Sequence, residues 1–213
     1  APLGLVVKKG PLLLFVDPSC ELCRELHHLL QQPRLQDVLG TVEQRVYLVP
    51  RALCDEHSLL AHEFVDAAGN ELSNDAARHH DACIAARVLY CIEKLTPGVG
   101  PTALEAAFRL QDSRAGFAYF DFEALVAALR NAGALSGPVD TLRSCVDGED
   151  VARDIADAQR YLRDWVQAHG GRLGLPQAFV VPVVGGRLDM QQAWQARDAE
   201  KIFHILRSSA AEP

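Results

Sequence analysis

The sequence predicts an α/β fold whose sheet-forming part is interrupted by a large, all-helical insertion. A buried strand, a helix and a second strand are expected to follow one another near the N-terminus. Residues 59–169 then show helical spacing of apolar residues with almost no strand signal, and strand-like residues return after them. We therefore expect residues 1–55 and 170–213 to build one domain, and residues 56–169 to form a helical insertion subdomain.

The N-terminal elements rest on three consecutive patterns. Leu12–Val16 has the sequence LLLFV, a short apolar run that suits a strand buried on both faces. Residues 20–32 have apolar side chains at helical spacing, and Pro33 should end that helix. Residues 41–49, TVEQRVYLV, have the β-branched and aromatic content of a second strand. The leucines expected to face the sheet from the helix are Leu22, Leu26, Leu29 and Leu30.

Helix-capping signals divide the insertion into several helices. Thr102 and Glu105 have the spacing of a capping box, which predicts a helix start. Asp121 is expected to cap another helix that ends at Gly133. A longer helix is predicted over residues 151–166, where apolar residues recur at helical spacing.

The C-terminal part returns to strands and closes with a helix. Residues 178–184 are strand-like, and the pair Gly185-Gly186 is a hairpin turn signal. A final helix over residues 196–207 should turn its apolar side towards the sheet.

The stretch DPSCELC places two cysteines three residues apart, where the first strand ends and the first helix begins. Unpaired N–H groups and the helix dipole stabilise a thiolate at such a position, so Cys20 is the candidate nucleophile, exposed at the helix end. Cys23, one turn later, is the candidate resolving thiol that releases a mixed disulfide. This context favours a redox pair over half of a zinc site, because no second C-x-x-C accompanies it.

Two motifs carry a resemblance to a known family. FVDPSCELCRELH is similar to the active-site segment of the DsbC and DsbG group, and GLPQAFVV is similar to the loop in which Dsb proteins hold a cis-proline beside the cysteine pair. The wide separation of the motifs, with an all-helical middle, resembles DsbA. The resemblance implies a thioredoxin-like fold with a DsbA-like helical insertion. It also implies that Leu175 contacts substrate and that Pro176 fixes the loop.

The same resemblance implies a thiol–disulfide oxidoreductase. Its substrates would be cysteine-containing proteins, and a membrane or soluble redox partner would restore its redox state. It would need no cofactor beyond its own redox-active pair, Cys20 and Cys23.

The chain departs from the resembled families at two places. Leu14 stands six positions before Cys20, where thioredoxin and DsbA have an acidic residue, so we expect no buried acid. Glu21 and Leu22 lie between the cysteines, where DsbA has a proline and a histidine. A carboxylate beside a thiol raises the thiol pKa, so we expect a more reducing pair suited to reduction or isomerisation. A DsbA-like dithiol oxidase is the alternative.

The four other cysteines are candidates for two structural disulfides. They are Cys54, Cys83, Cys91 and Cys145. Cys83 and Cys91 lie eight residues apart on one predicted helix, about 12 Å along its axis, which is too far for a bond between them. The connectivity is otherwise open, and some of these cysteines could instead be buried free thiols.

A function of another class competes with the redox interpretation. Cys54 and His57, and His80 and Cys83, have the spacing of zinc ligands, and together they would complete a tetrahedral site. The alternative function is therefore a redox-inert or zinc-binding module on the same fold. We favour disulfides and assign no metal ligand.

Charge and composition exclude other classes. The formal net charge is −7, and the 21 basic residues are scattered among 28 acidic ones, which argues against nucleic-acid binding. No apolar run reaches the roughly 18–20 residues that cross a bilayer, so no membrane insertion is expected. The chain opens at Ala1, and the extra cysteines suit an oxidising compartment, so we expect a periplasmic or otherwise extracytoplasmic protein whose signal peptide has been removed.

Three further side chains receive structural interpretations. His27 follows the cysteine pair by one turn and is interpreted as a surface residue. Trp165 and Trp194 lie in amphipathic patterns and are interpreted as packing residues.

Overall fold

The computed structural model describes most of the chain. The described residues are 5–9, 12–40, 42–50, 54, 76–112, 120–184 and 187–209. Within them the strands are β1 (Leu5–Lys9), β2 (Leu12–Val16), β3 (Glu43–Leu48), β4 (Gln177–Val180), β5 (Val183–Val184), β6 (Arg187–Leu188) and β7 (Trp194–Ala196). The helices are α1 (Glu21–Leu30), α2 (Pro33–Leu39), α3 (Ala76–Leu95), α4 (Gly100–Asp112), α5 (Phe122–Asn131), α6 (Val139–Val146), α7 (Glu149–Ala168) and α8 (Ala199–Ser209), with a 3-10 turn at Met190–Gln192.

The main sheet has five strands in the order β1-β3-β2-β4-β7. Strand β2 is central, parallel to β3 and antiparallel to β4, so that Leu14 pairs with Val46 on one side and Ala178 on the other. Every residue of β2 is buried, because its LLLFV sequence offers apolar side chains to both faces. The predicted buried strand is confirmed, and its end fixes the position of the loop that carries the cysteine pair.

An aromatic cluster attaches helix α7 to the sheet. The ring centroids of Tyr161 and Tyr47 lie 5.2 Å apart, and those of Trp165 and Phe179 lie 5.1 Å apart. Trp165 is buried, as predicted, whereas Trp194 is about half exposed on β7, so its interpretation as a packing residue is wrong. Trp194 begins the edge strand β7, and Ala196, two residues further along the strand, is buried, so the exposure is confined to the start of the strand.

In the described part of the insertion, helices α3 to α7 follow one another without a strand, as the sequence predicted. Helix α3 contacts α4, α5, α6 and α7 and is the centre of this layer. The exact limits of the predicted subdomain, at residues 55 and 169, stay predictions, because residues 55–75 lie outside the described part of the chain.

Two disulfides lie in or next to the insertion. Cys54 is bonded to Cys83 with a Cα–Cα distance of 5.4 Å, and Cys91 is bonded to Cys145 with a Cα–Cα distance of 5.9 Å. The second disulfide joins α3 to α6. Cys83 and Cys91 thus each find a partner on a different segment, as their spacing along α3 requires.

The helix starts in the insertion agree only partly with the capping signals. Asp121 accepts a hydrogen bond from the Ala124 N–H and caps α5, as predicted. The capping box predicted at Thr102 and Glu105 is wrong, because α4 already begins at Gly100. The carboxylate of Glu93 accepts the N–H groups of Gly98 and Gly100 at 2.9 and 2.7 Å, which satisfies donors around the start of α4.

Other differences concern short elements. Pro33 ends α1 as predicted, but it also stands at the first position of α2, where its fixed φ favours a helix. The final helix begins at Ala199, because residues 194–196 form β7. Strands β5 and β6 pair antiparallel, and the predicted Gly185-Gly186 turn between them lies outside the described residues.

Candidate active site

The loop between β2 and α1 is shaped by Asp17. Its backbone carbonyl accepts the Cys20 N–H at 3.0 Å. Its carboxylate Oδ1 accepts the Ser19 N–H at 2.8 Å and the Ser19 hydroxyl at 2.7 Å. A short acidic side chain that bonds the backbone two residues later stabilises a turn, so the sequence DPS leads directly into the helix.

The two cysteines lie together at the N-terminus of α1 as free thiols. Cys20 is the N-cap, and its Sγ accepts the N–H of Cys23 at 3.4 Å. The Sγ of Cys23 in turn accepts the N–H of Asp17 at 3.4 Å. The sulfur of Cys20 therefore occupies the position at which a helix end stabilises negative charge.

Both thiols are buried, with relative exposures of 2% for Cys20 and 0% for Cys23. The expectation that Cys20 is exposed is therefore wrong. The reason is that two other segments cover the cysteine loop. The Leu175 carbonyl lies 3.9 Å from the Cys20 Sγ, and Gln111 of α4 donates to the Pro18 carbonyl at 3.2 Å.

The loop opposite the cysteines contains a cis peptide bond between Leu175 and Pro176. Both residues are buried, and the backbone carbonyl of Leu175 lies against the Cys20 sulfur. The side chain of Gln177, the residue after Pro176, stabilises the loop with two hydrogen bonds: its amide N–H donates to the Arg172 carbonyl at 3.3 Å, and its amide oxygen accepts from Gln195 at 2.8 Å. The role of Gln177 was not predicted, although a polar residue at the start of a buried strand could have indicated it.

The environment of Cys23 keeps this thiol protonated. Burial raises the pKa of Cys23 well above its usual value. The hydrogen bond with Cys20 and the charges of Cys20 and Asp17 raise this pKa further. The hydrogen bond from the Asp17 N–H lowers it, but the net shift is upward. A protonated thiol is a poor nucleophile. Cys20, at the helix end, is therefore the sulfur that can attack first.

The two residues between the cysteines point to solvent. The Glu21 side chain is 75% exposed and lies 3.4 Å from the Arg24 guanidinium. Leu22 is 45% exposed, and Leu29 is 43% exposed on the same side of α1. The prediction that Leu22 and Leu29 face the sheet is wrong: the buried side of α1 is formed by Cys23, Leu26 and Leu30, at i, i+3 and i+7.

His27 is mostly buried, so its interpretation as a surface residue is also wrong. Its Nε2 lies 2.6 Å from Oε2 of Glu105 on α4, and its ring centroid lies 5.0 Å from that of Phe108. Burial lowers the pKa of His27, and Glu105 only partly opposes this. Burial by itself would raise the pKa of Glu105, but hydrogen bonds from Arg109 and His27 lower it overall. The pair docks the insertion onto α1.

The His27–Glu105 pair should make the free energy of unfolding decrease as the pH is lowered. The pKa of His27 is lowered from its usual 6.5, so below that pH the unfolded chain takes up a proton that the folded protein does not. The lowered pKa of Glu105 acts in the same direction at lower pH. We expect the free energy of unfolding, measured by urea titration, to drop less between about pH 7 and about pH 5 in His27→Gln than in the wild type. His204→Gln, on the exposed side of α8, should keep the wild-type slope; an unchanged slope in His27→Gln would refute this account.

The zinc interpretation loses its sulfur ligands. Cys54 and Cys83 are bonded to each other, so neither sulfur is available as a thiolate. His57 and the side chain of His80 lie outside the described residues. In the part of the chain that the structure describes, no group of His, Cys, Asp and Glu side chains has a metal-binding arrangement.

The fold is thioredoxin-like, with an all-helical insertion of the DsbA type, and it carries a cysteine pair at a helix N-terminus beside a cis-proline loop. No protein-family model and no curated protein matches the sequence. Three similar solved structures are DsbA of Chlamydia trachomatis, a periplasmic thioredoxin-like protein of Salmonella enterica serovar Typhimurium, and the cytosolic disulfide reductase DsbM of Pseudomonas aeruginosa.

The similarity to these structures extends over the whole fold. The DsbA match has a TM-score of 0.58 and 16% identity, and covers 100% of this chain and 95% of the other. The Salmonella match has a TM-score of 0.58 and 14% identity, and covers 98% and 91% of the two chains. The DsbM match has a TM-score of 0.58 and 17% identity, and covers 93% and 98%. At such identities the likeness establishes the fold, and the chemistry has to be argued from the site.

Proposed function

We propose that the protein is a thiol–disulfide oxidoreductase that exchanges disulfides with cysteine-containing proteins through Cys20 and Cys23. The observation that carries the proposal is the position of the Cys20 sulfur as the N-cap of α1, 3.4 Å from the Cys23 N–H and beside the Leu175 carbonyl. That position favours the thiolate, which is the form that attacks disulfides. The named activity of one of the similar structures, the disulfide reductase DsbM, agrees with it.

The reaction proceeds in two exchange steps. The Cys20 thiolate attacks one sulfur of a substrate disulfide, a Cys20–substrate disulfide forms, and the other substrate sulfur leaves as a thiolate that takes up a proton. Cys23 then loses its proton and attacks the Cys20 sulfur, and the second substrate thiol leaves. The substrate gains two electrons and two protons, and the protein becomes a Cys20–Cys23 disulfide. No cofactor beyond this pair is needed.

The cis-proline loop is the proposed substrate contact. The Leu175 carbonyl is held close to Cys20, and Pro176 shapes the loop that presents it. An extended substrate peptide could pair with the backbone of this loop and bring its disulfide to Cys20. The exposed Leu22, which lies between the two cysteines in the sequence, adds apolar surface beside them.

Within this class we favour a reductase or isomerase. Glu21 places a negative charge next to Cys20 and disfavours the thiolate, although its exposure and its partner Arg24 weaken the effect. The alternative, a DsbA-like oxidase, is favoured by the hydrogen bond from the Cys23 N–H to the Cys20 sulfur. A redox titration against glutathione separates them: a potential well below the about −120 mV of DsbA supports the reductase, and a potential near that value supports the oxidase.

An extracytoplasmic location is proposed from the two disulfides in and next to the insertion. Disulfides such as Cys54–Cys83 and Cys91–Cys145 form and persist mainly in oxidising compartments. None of the described helices has the length and apolar character needed to span a membrane. A membrane or soluble redox partner would then restore the state of the cysteine pair.

Reduction of insulin tests the proposed function. With dithiothreitol as the electron source, the wild type should accelerate precipitation of the insulin chains, and Cys20→Ser should fall to the rate of dithiothreitol alone. Circular dichroism of both proteins checks that the variant is folded. A wild-type protein that does not exceed the background, or a Cys20→Ser variant that keeps full activity, would contradict the proposal and favour a redox-inert module.

A further inference from the structure

The loop that contains the cis peptide bond has little stiffness of its own. It connects α7 to β4 over residues 169–176. Three of its residues are glycines: Gly170, Gly171 and Gly174. Glycine restricts the backbone less than any other residue, so contacts with the rest of the fold have to impose the shape of this loop. Those contacts decide where the Leu175 carbonyl lies, which is 3.9 Å from the Cys20 sulfur.

The side chain of Gln177 closes this loop. Gln177 is 1% exposed, and its backbone pairs with Phe15 of β2, the strand that leads into the cysteine loop. Its amide nitrogen donates to the Arg172 carbonyl at 3.3 Å, so one side chain ties together the two ends of the segment that contains Leu175 and Pro176. The position of the Leu175 carbonyl thus depends on the orientation of one buried amide.

Gln195 on the edge strand β7 fixes that orientation. It pairs with Phe179, two residues after Gln177, so the two glutamines are diagonal neighbours on one face of the sheet. The Gln195 amide nitrogen donates to Gln177 Oε1 at 2.8 Å. Because the Arg172 carbonyl can only accept, the Gln177 nitrogen must face it, and the Gln177 oxygen is then turned to Gln195. Gln195 therefore has to be the donor that holds the Gln177 amide in place.

Gly171 leaves the room that this arrangement needs. A Cβ atom at position 171 would lie 3.2 Å from Gln195 Nε2 and 3.3 Å from Gln195 Oε1, which is closer than ordinary contacts. The Gln195 amide therefore packs directly against the backbone of the loop. Gln195 is partly buried, so its amide is held between the loop and β4.

We propose that Gln195 is a positioning residue for protein substrates. Acting through Gln177, it holds the Leu175–Pro176 loop in the shape that pairs with the backbone of a substrate peptide. The inference rests on the proposed function and adds a residue to its binding step. The hydrogen bond of Gln195 goes to Gln177 and not to the cysteines, so its loss should weaken the binding of peptide disulfides and leave the reactivity of the Cys20 sulfur intact.

The test compares two disulfides that release the same chromophore. One is a linear peptide whose single cysteine is disulfide-bonded to thiopyridine, and the other is dithiodipyridine, which has no peptide backbone. In both reactions the Cys20 thiolate attacks, a new disulfide to Cys20 forms, and thiopyridone leaves and is measured by its absorbance. The ratio of the two second-order rate constants for this first release reports on peptide binding, and a general loss of folded protein does not change it.

Gln195→Met is the informative variant, because methionine keeps the size of the side chain and removes its N–H donors. We expect the ratio of peptide to dithiodipyridine rate constants to fall about tenfold, since the Gln177 oxygen loses its partner and the loop is no longer held. Gln195→Glu, which at neutral pH can only accept, should lose as much and decides the question if Gln195→Met does not fold. Gln192→Met, at an exposed glutamine in the turn before β7, is the matched control and should keep the wild-type ratio. A wild-type ratio in the folded Gln195 variant, or an equal fall in Gln192→Met, overturns the inference.

A double-mutant cycle tests whether Gln195 acts through Gln177. Gln177→Met should lower the ratio by itself, and adding Gln195→Met to it should lower the ratio no further. Full additivity of the two losses would overturn the inference, because Gln195 would then act on another group. Cys20→Ser tests the proposed function separately: release of thiopyridone from dithiodipyridine at the wild-type rate in this variant contradicts that function, whereas an unchanged ratio in the Gln195 variants leaves it intact.

Discussion

Replacing Cys23 with serine is expected to stop catalysis halfway and to leave the substrate attached to Cys20 through a disulfide. The first step needs only the Cys20 sulfur. The backbone N–H of residue 23 donates a hydrogen bond to this sulfur, and a serine at position 23 would keep that N–H. The second step needs the Cys23 sulfur, and a serine hydroxyl cannot replace it. Turnover of insulin should fall to the background rate, and a covalent adduct should accumulate.

Mass spectrometry of acid-quenched Cys23→Ser with a peptide disulfide measures this adduct. The expected mass is that of the protein plus one half of the peptide, and dithiothreitol should remove it. Cys20→Ser is the control and should form no adduct, because the remaining thiol, Cys23, is fully buried and protonated. An adduct on Cys23 in Cys20→Ser, with none on Cys20 in Cys23→Ser, would reverse the assigned roles.

Removing the Cys91–Cys145 disulfide is expected to cause the largest loss of stability. This bond closes a loop of 54 residues and joins α3 to α6, whereas Cys54–Cys83 spans 29 residues. The loop-closure entropy of the unfolded chain gives about 4 kcal/mol for the longer loop and about 3.5 kcal/mol for the shorter one. Cys91 is also fully buried, so its replacement disturbs packing in the centre of the insertion.

The double variant Cys91→Ala with Cys145→Ala should be compared with Cys54→Ala with Cys83→Ala by urea unfolding. We expect the first to lose more of the free energy of unfolding. Where both variants are folded, the exchange activity should persist, because neither disulfide includes Cys20 or Cys23. A larger loss for the shorter loop, or no loss for either, would contradict this ranking.

The local part of the site could be predicted from the sequence because it is built from consecutive residues. The stretch DPSCELC lies between the end of a buried strand and the start of a helix, and this position does not depend on contacts with distant segments. The strand, the cysteine pair at the helix end and the all-helical insertion follow from patterns of this kind. The edge strands were missed for different reasons: β1, with the sequence LVVKK, has a shorter apolar run that ends in two lysines, and β7 has only three residues.

Features that depend on contacts between distant segments could not be predicted. The burial of Cys20 results from α4 and the Leu175 loop, which lie far away in the sequence. His27 is buried because Glu105 and Phe108 meet it, and α1 alone does not reveal that contact. The partners of Cys83 and Cys91 likewise depend on how α6 and residue 54 pack against α3.

Peptide mapping of the protein after equilibration in glutathione buffers tests the central claim most directly. We expect Cys20 and Cys23 to convert reversibly between two free thiols and one mutual disulfide as the ratio of oxidised to reduced glutathione is changed. Over the same range Cys54–Cys83 and Cys91–Cys145 should remain bonded. If Cys20 and Cys23 stayed as free thiols at every ratio, or formed disulfides only with other cysteines, the pair would not be the redox centre of the protein.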